Sequence, residues 1–349
     1  MKNEYGSCVF NFSSSHFGGG LKRILAYVEW FNEHGGSNFV LNEKLREIED
    51  KFPKNKYCFL KQNPFNKILN YYKELNQFLS TIGTVEFYFS YGIPIPRKIG
   101  KVNWIHVANV LPFVNAGQYV PFKRSLELRL LGVLMRNSMK YADVISAESE
   151  ASLDLVKNNS IAKRFVSVNG NNEEIEASQQ QTNMPTLEVN NIAVAVGTCQ
   201  YKSMDDVYKI YCHLRRSNPT LNLVIAGIKE DVPGYIQEDK QVILKGVLPK
   251  PEVSELLMHA QYYITATLIE NSYNAASEGA YLAREAFVSD IGPHRELLKH
   301  AKYQVISDLD TRLPSLYVKR EDLECQYLKS WDQVIKEMLV YFRGLYLSE

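Results

Sequence analysis

Apolar positions recur along this chain at two spacings, every second residue in short runs and every third or fourth in longer ones, and the two kinds of run alternate. The short runs, rich in β-branched and aromatic residues, predict strands at 7–12, 39–41, 57–60, 85–88, 101–106 and 144–147. The longer ones predict helices at 21–32, 67–82 and 124–141. Residues 169–190 then lose apolar periodicity and carry Asn169-Gly170, Gln179-Gln180-Gln181 and Pro185, the composition of a linker. The same pattern restarts beyond it, with strands at 192–196, 221–226, 242–244, 262–267 and 286–289 and helices at 205–216, 251–260, 275–283 and 293–300. The tail, 321–347, reads as helical and aromatic-rich.

Strands alternating with helices predict parallel sheets covered on both faces. The expected fold class is α/β, with two Rossmann-like doubly wound domains facing across a cleft. The first domain is expected over 1–168, the linker over 169–190 and the second domain over 191–320. Residues 321–349 are expected to form a C-terminal helix packing back toward the first domain. In doubly wound sheets ligands bind outside the carboxyl ends of the strands, so the chemistry is sought in the loops that follow them.

Composition narrows the classes. A length of 349 residues exceeds what one core usually supports, and 45% hydrophobic with 23% charged residues excludes a disordered chain. No apolar run approaches the roughly 18 to 20 residues that span a bilayer. The first residues show no basic segment followed by an apolar one, so a cytoplasmic protein is expected. Five cysteines, Cys8, Cys58, Cys199, Cys212 and Cys325, make no CxxC pair and read as reduced thiols rather than disulfides or a zinc site.

The net charge of +1 is unevenly spread. Residues 1–165 hold 22 Lys and Arg against 14 Asp and Glu, a net of +8, and the remainder holds 18 against 25, a net of −7. A basic first half suits a phosphate-bearing acceptor or the anionic face of a membrane, and equally a solvated surface with no partner. Nucleic-acid binding finds little support at this net charge.

Four constellations fall in loops after strands. Glu270 and Glu278 bracket the start of a helix with Asn271, Ser272, Tyr273, Asn274 and Ala275 between them. Free backbone N–H groups at a helix start bind diphosphate, and nearby carboxylates suit sugar hydroxyls; the plainer reading is one surface Glu and one helical Glu. Gly197 ends a strand and is followed by Thr198 and Lys202, a point charge for a diphosphate or an exposed loop lysine. Ser13, Ser14, Ser15 and His16 lead into Gly18, Gly19 and Gly20, a loop that cradles phosphate or simply connects; it is neither GxGxxG nor a P-loop. His106 closes an apolar strand ahead of Asn109 and Pro112-Phe113, and a lone His there is more often structural. A basic amphipathic stretch joins Lys123, Arg124, Arg129, Arg136 and Lys140 to Leu126, Leu130, Leu131 and Leu134. Its leucines read as core and its basic residues as neighbours of a lipid-diphosphate acceptor, with a membrane-surface helix as the other reading.

The Glu270–Glu278 pair, together with Gly246 and the turn at 286–296, resembles the paired-glutamate signature of retaining glycosyltransferase family 4, which has the GT-B fold. The resemblance covers the second half well and the first loosely. It implies a metal-independent transferase with no cofactor, moving a sugar from a UDP- or GDP-linked donor to a glycan or lipid-linked acceptor, in polysaccharide or lipopolysaccharide synthesis. Carried over, Glu270, His106 and Lys202 would be catalytic. Glu278, Gly18, Gly19, Gly20, Gly197, Thr198, Gly246, Ser272, Tyr273, Asn274 and Ala275 would bind the nucleotide sugar, and Asn109 and Ser149 would face the acceptor. Two departures stand out: Asn271-Ser272-Tyr273 replaces the family's Gly-Phe-Gly, and Thr198 stands where an Arg is expected, with Arg295 a candidate substitute. They leave a catalytically silent nucleotide-binding partner as the alternative. A peripheral association with the inner membrane face, through the basic first domain, is an added expectation. The missing GxGxxG with a following acidic residue argues against a dehydrogenase.

Overall fold

The computed structural model describes residues 5–16, 18–61, 67–115, 117, 119–156, 161–171, 175, 190–323 and 328–346, with the backbone alone for 67–71 and 346. Most of the expected linker, and Cys325, lie outside these residues.

The chain divides into two units, one of residues 1–116, 122–170 and 329–349, the other of 117–121 and 171–328. The first is built on seven described parallel strands: β1 Cys8–Asn11, β2 Asn38–Asn42, β3 Lys56–Leu60, β4 Phe87–Tyr91, β5 Val102–Val107, β6 Val144–Ala147 and β7 Lys163–Val166. Their order is β3-β2-β1-β4-β5-β6-β7. The central strands carry aromatic rings in register: Phe10 pairs with Phe39 on one side and Phe89 on the other, and the rings of Phe10 and Phe39 stack at 5.4 Å. Burying rings of this size supplies most of the driving force for the unit.

Helices cover the sheet. Gly18–Glu33 follows β1, Lys67–Ile82 follows β3, Phe122–Ser138 precedes β6 and Glu150–Leu155 follows it. The last helix, Trp331–Tyr346, belongs to this unit although it lies far along the chain. Ile335 and Met338 are fully buried, Phe342 meets Phe87 at 4.6 Å, and Trp30 Nε1 donates to Asp332 at 2.9 Å.

The second unit repeats the plan. Its described strands are β8 Asn190–Val196, β9 Asn222–Ala226, β10 Val242–Gly246, β11 Ala260–Thr265, β12 Glu285–Ser289, β13 Tyr303–Ile306 and β14 Ser315–Lys319. The order is β10-β9-β8-β11-β12-β14-β13, parallel except where β14 runs against β12 and β13. Helices Met204–Ser217, Lys250–Met258, Asn274–Leu282 and Gly292–Leu297 alternate with the strands along the chain. Among the described residues no helix is long and apolar enough to cross a membrane.

In each sheet the chain moves outward from its first strand on one side and then resumes on the other. The order therefore reverses between β1 and β4 and between β8 and β11. At such switch points the flanking loops diverge and leave a crevice at the carboxyl ends of the strands.

Candidate functional site

The second unit gathers the predicted donor residues at its switch point. β8 ends at Gly197, whose φ of +83° only glycine adopts without strain and whose N–H donates to Ala226 O at 2.8 Å. A short 3-10 turn, Gln200–Lys202, then brings Lys202 across to the loop after β11, where it pairs directly with Glu270. Main-chain bonds fix this approach, Leu268 N–H donating to Tyr201 O at 2.8 Å. Thr198 Oγ1 instead donates to Ile228 O at 3.0 Å, and its side chain packs on the Cα of Gly227. Thr198 is buried, so only its backbone remains for a phosphate.

Past Glu270 the chain turns through Asn271, Ser272 and Tyr273 into the helix Asn274–Leu282. Tyr273 is the N-cap but lends no side-chain bond; the Asn274 N–H leans toward Ser272 Oγ at 3.4 Å, long for a firm hydrogen bond. Glu278 sits one turn further in, largely buried, with Lys250 Nζ 4.0 Å away. Both glutamates act on one buried group: burial, Glu270 and Glu278 together push the Tyr263 phenol far above its ordinary range. Glu270 thus lies in the loop after β11, and Glu278 on the helix that packs on the Tyr263 ring of that strand. Gly246, with φ +74°, ends the neighbouring β10, and its carbonyl accepts from Gly227 N–H at 2.9 Å.

A residue that spacing does not reveal sets this geometry. Gly279 lies against the ring of Tyr263, and a Cβ there would fall inside 3.0 Å of three ring carbons. The glycine lets the helix bearing Glu278 rest directly on β11. Behind the loop His294 Nδ1 meets Ser289 O at 2.8 Å, and burial lowers its pKa to about 4. Arg295 does not substitute for the missing arginine in this arrangement, because its guanidinium is bound bidentately by Asp290.

The first unit presents a second polar cluster at its own switch point. The expected glycine loop is shorter than its sequence suggests, since Gly18, Gly19 and Gly20 already form the first turn of the helix Gly18–Glu33. A side chain at Gly20 would collide with Ser15, so the serines and the helix start are packed against each other. One turn on, Arg23 is wholly buried and donates to Ser167 O at 2.8 Å, Val168 O at 3.0 Å, Ser167 Oγ at 3.0 Å and Asn169 Oδ1 at 3.2 Å.

His106, at the end of β5, stacks on Tyr91 at 5.1 Å and is fully buried. Trp104 Nε1 donates to Ser146 Oγ at 2.6 Å, so the Ser146 hydroxyl keeps its own proton for His106 Nδ1 at 2.8 Å. That bond leaves the imidazole proton on Nε2, which points at Glu148 Oε1 3.8 Å away. Burial lowers the His106 pKa to about 4, aided by the Arg23 charge, so the ring is neutral near pH 7. Its backbone carbonyl accepts from Gly92 N–H at 2.8 Å.

Glu148, which motif reading passed over for its neighbours, is the centre of the cluster. It receives Tyr91 OH at 3.3 Å and faces Arg23 at 3.8 Å. Burial pushes its pKa up, yet His106 and the Arg23 charge outweigh this and hold it below the ordinary value. Ser149 is fully buried and caps the helix Glu150–Leu155, its Oγ accepting from Ser152 N–H at 3.0 Å. Asn109 forms an Asx turn, Oδ1 accepting from Leu111 N–H at 2.9 Å. The leucines of the basic stretch are corrected, since Leu126, Leu130 and Leu134 are exposed rather than core.

No family model matches this chain, and no curated protein matches it by sequence. Solved structures do. A glycosyltransferase of Rickettsia africae is 13% identical over 97% of this chain and 97% of its own, with a TM-score of 0.63. HepE of Anabaena, solved in complex with UDP and glucose, is 13% identical over 84% and 83%, with a TM-score of 0.54. Sucrose-phosphate synthase of Thermosynechococcus elongatus is 13% identical over 98% and 96%, at 0.57. The shared feature at such identities is the fold: two Rossmann-like units of the GT-B class.

Proposed function

We propose that this chain is a glycosyltransferase that takes a sugar from a UDP- or GDP-linked donor and passes it to a hydroxyl of a glycan or lipid-linked glycan. The observation that carries this reading is the pairing of Lys202 with Glu270, at the switch point of the second sheet, just ahead of the helix Asn274–Leu282 that bears Glu278. A fold shared with HepE, whose structure holds UDP and glucose, supports it.

In this reading Glu278 accepts hydroxyls of the ribose, and the amides of Ser272, Tyr273, Asn274 and Ala275 receive the diphosphate. Glu270 meets the donor sugar. Lys202, now paired with Glu270, balances the charge that grows on the leaving diphosphate. The reaction is proposed to retain anomeric configuration and to need no metal or cofactor. The first unit, through His106 and Asn109, is proposed to serve the sugar and its acceptor, and its basic surface to approach the inner face of a membrane from the cytoplasm.

One observation favours a second reading, a catalytically silent nucleotide-binding partner of another transferase. Thr198 is buried, Lys202 is held by Glu270 and Arg295 by Asp290, so the cations near the loop already have carboxylate partners.

Thermal shift with UDP, GDP and their sugars, followed by assay of nucleotide release, separates the two. Binding with release supports transfer, and binding without release at any donor supports the silent partner. Glu278→Ala is expected to weaken nucleotide binding tenfold or more, and Lys202→Ala to lower turnover. Unchanged kinetics in both would remove the site.

A further inference from the structure

We propose that Arg312 is a positioning residue of the donor site: with Asp206 it grips Ser203 in a left-handed turn that aims Lys202 at Glu270. Its part in transfer rests on the reading above; the grip itself does not.

The turn is a strained one. Among the described residues other than glycine, only Ser203 and Asp310 have positive φ, and Ser203 sits at φ +52° and ψ +66°. Residues with a side chain reach this region against repulsion between Cβ and the following carbonyl oxygen. A serine that opens a helix normally keeps extended angles and accepts an amide of the first turn on its hydroxyl. Ser203 opens Met204–Ser217 without such a bond. Its hydroxyl instead donates to Asp206 Oδ2 at 2.6 Å and accepts from Arg312 Nη2. Arg312 Nε donates to the same Asp206 oxygen at 2.8 Å, which closes a ring of three side chains. Asp206 is buried, so water competes poorly for its carboxylate.

The grip comes from far along the chain. Arg312 lies in the connection between β13 and β14, 106 residues past Asp206. Two neighbours moor that connection on the same helix: Leu309 is buried with Met204 and Val207, and Lys209 Nζ donates to Asp310 O at 2.5 Å. Removing the guanidinium therefore leaves the connection moored and releases only the turn.

The turn aims Lys202. The Lys202 amide donates to Cys199 O at 2.7 Å, and its side chain runs over Gly197, where a Cβ would lie 3.6 Å from Lys202 Cε. The ammonium then meets Glu270. The helix beyond Ser203 is packed into the core through Val207 and Ile210. Relaxation at Ser203 must therefore displace the turn before it, and Lys202 with it.

The test pairs two substitutions. Arg312→Ala removes the grip, and Ser203→Gly removes the need for it, because glycine takes positive φ without strain. Brief acetylation of the full chain with acetic anhydride, read by peptide mass spectrometry, compares Lys202, whose side chain is 12% exposed, with the exposed Lys299. Arg312→Ala is expected to raise Lys202 labelling relative to Lys299 by about threefold or more, as a local opening does, and Arg312→Ala/Ser203→Gly to return it toward the parent. A group misplaced by about 1 Å can cost about a hundredfold, so kcat should fall by about tenfold or more in the single variant, with donor KM little changed, and recover in the double. Unchanged labelling in Arg312→Ala overturns the proposal. A rise in labelling or a loss of kcat that Ser203→Gly does not reverse also overturns it, since Arg312 would then touch the ligand itself or brace the unit at large. A parent without turnover on any donor would remove the donor reading, and labelling would still decide the grip.

Discussion

Replacing Gly279 by Ala tests the physical basis of the donor site. The position is helical, so on propensity alone Ala should stabilise by up to about 1 kcal/mol. The structure reverses the sign. The new Cβ would lie closer than 3.0 Å to three carbons of the Tyr263 ring, whereas carbon–carbon contacts settle near 3.5–4.0 Å. The nearest of these carbons would be at 2.1 Å, so helix or ring must shift by roughly 1.2–1.9 Å. Tyr263 is fully buried in a cluster with Val194, Ala276 and Ala280, so the ring has no room to retreat. Overpacking of this kind costs about 1–3 kcal/mol. Because Glu278 is the adjacent residue, the same shift should loosen any nucleotide held by its carboxylate. Urea unfolding and UDP thermal shift read both effects, with Gly344→Ala as comparison, since a Cβ there meets nothing within 4 Å and should gain up to about 1 kcal/mol. A Gly279→Ala protein as stable as the parent, with undiminished nucleotide binding, would refute the close helix–strand approach as the determinant of this site.

Other outcomes follow from the first unit and from titration. Glu148→Gln removes the carboxylate beside buried Arg23 and is expected to cost about 3 kcal/mol in urea unfolding, as breaking a buried pair does; a loss under about 1 kcal/mol would show that the carbonyls alone satisfy Arg23. His106 and His294 are buried and neutral, with folded pKa values of about 4 against 6.5. The unfolded chain then binds more protons between pH 4 and 6.5, so stability is full above about 6.5 and falls toward pH 4, by at most about 3 kcal/mol per histidine. Denaturant midpoints across that range check it, and a flat profile would contradict their burial. Ser149→Ala should cost about 1 kcal/mol through the lost cap without altering acceptor kinetics.

The sequence disclosed the parallel-sheet grammar because most strands here are short runs buried on both faces, such as Val144–Ala147, bounded by loops. It missed β7 and β13, whose exposed positions break the apolar run, as in the half-exposed Lys163–Val166, and it missed the largely buried β14 as well. The glutamate pair was legible as a spacing, but its pairing with Lys202 depends on loops after different strands. Arg23 and Glu148 were hidden for the same reason: charged residues read as surface until the fold brings β6, the helix Gly18–Glu33 and the segment after β7 around them. The leucines of Phe122–Ser138 misled because periodicity reports that a helix has an apolar face, not whether the fold covers it.

The placement of Trp331–Tyr346 among the strands near the chain's beginning has a consequence for synthesis. The first sheet is fully translated once β7 has emerged, yet Phe87, Trp30 and Tyr27 then lack the helix that shields them. The second unit, almost contiguous, has all its strands beforehand. On the ribosome the earlier-made half must wait, partly uncovered, while the later-made half can close first.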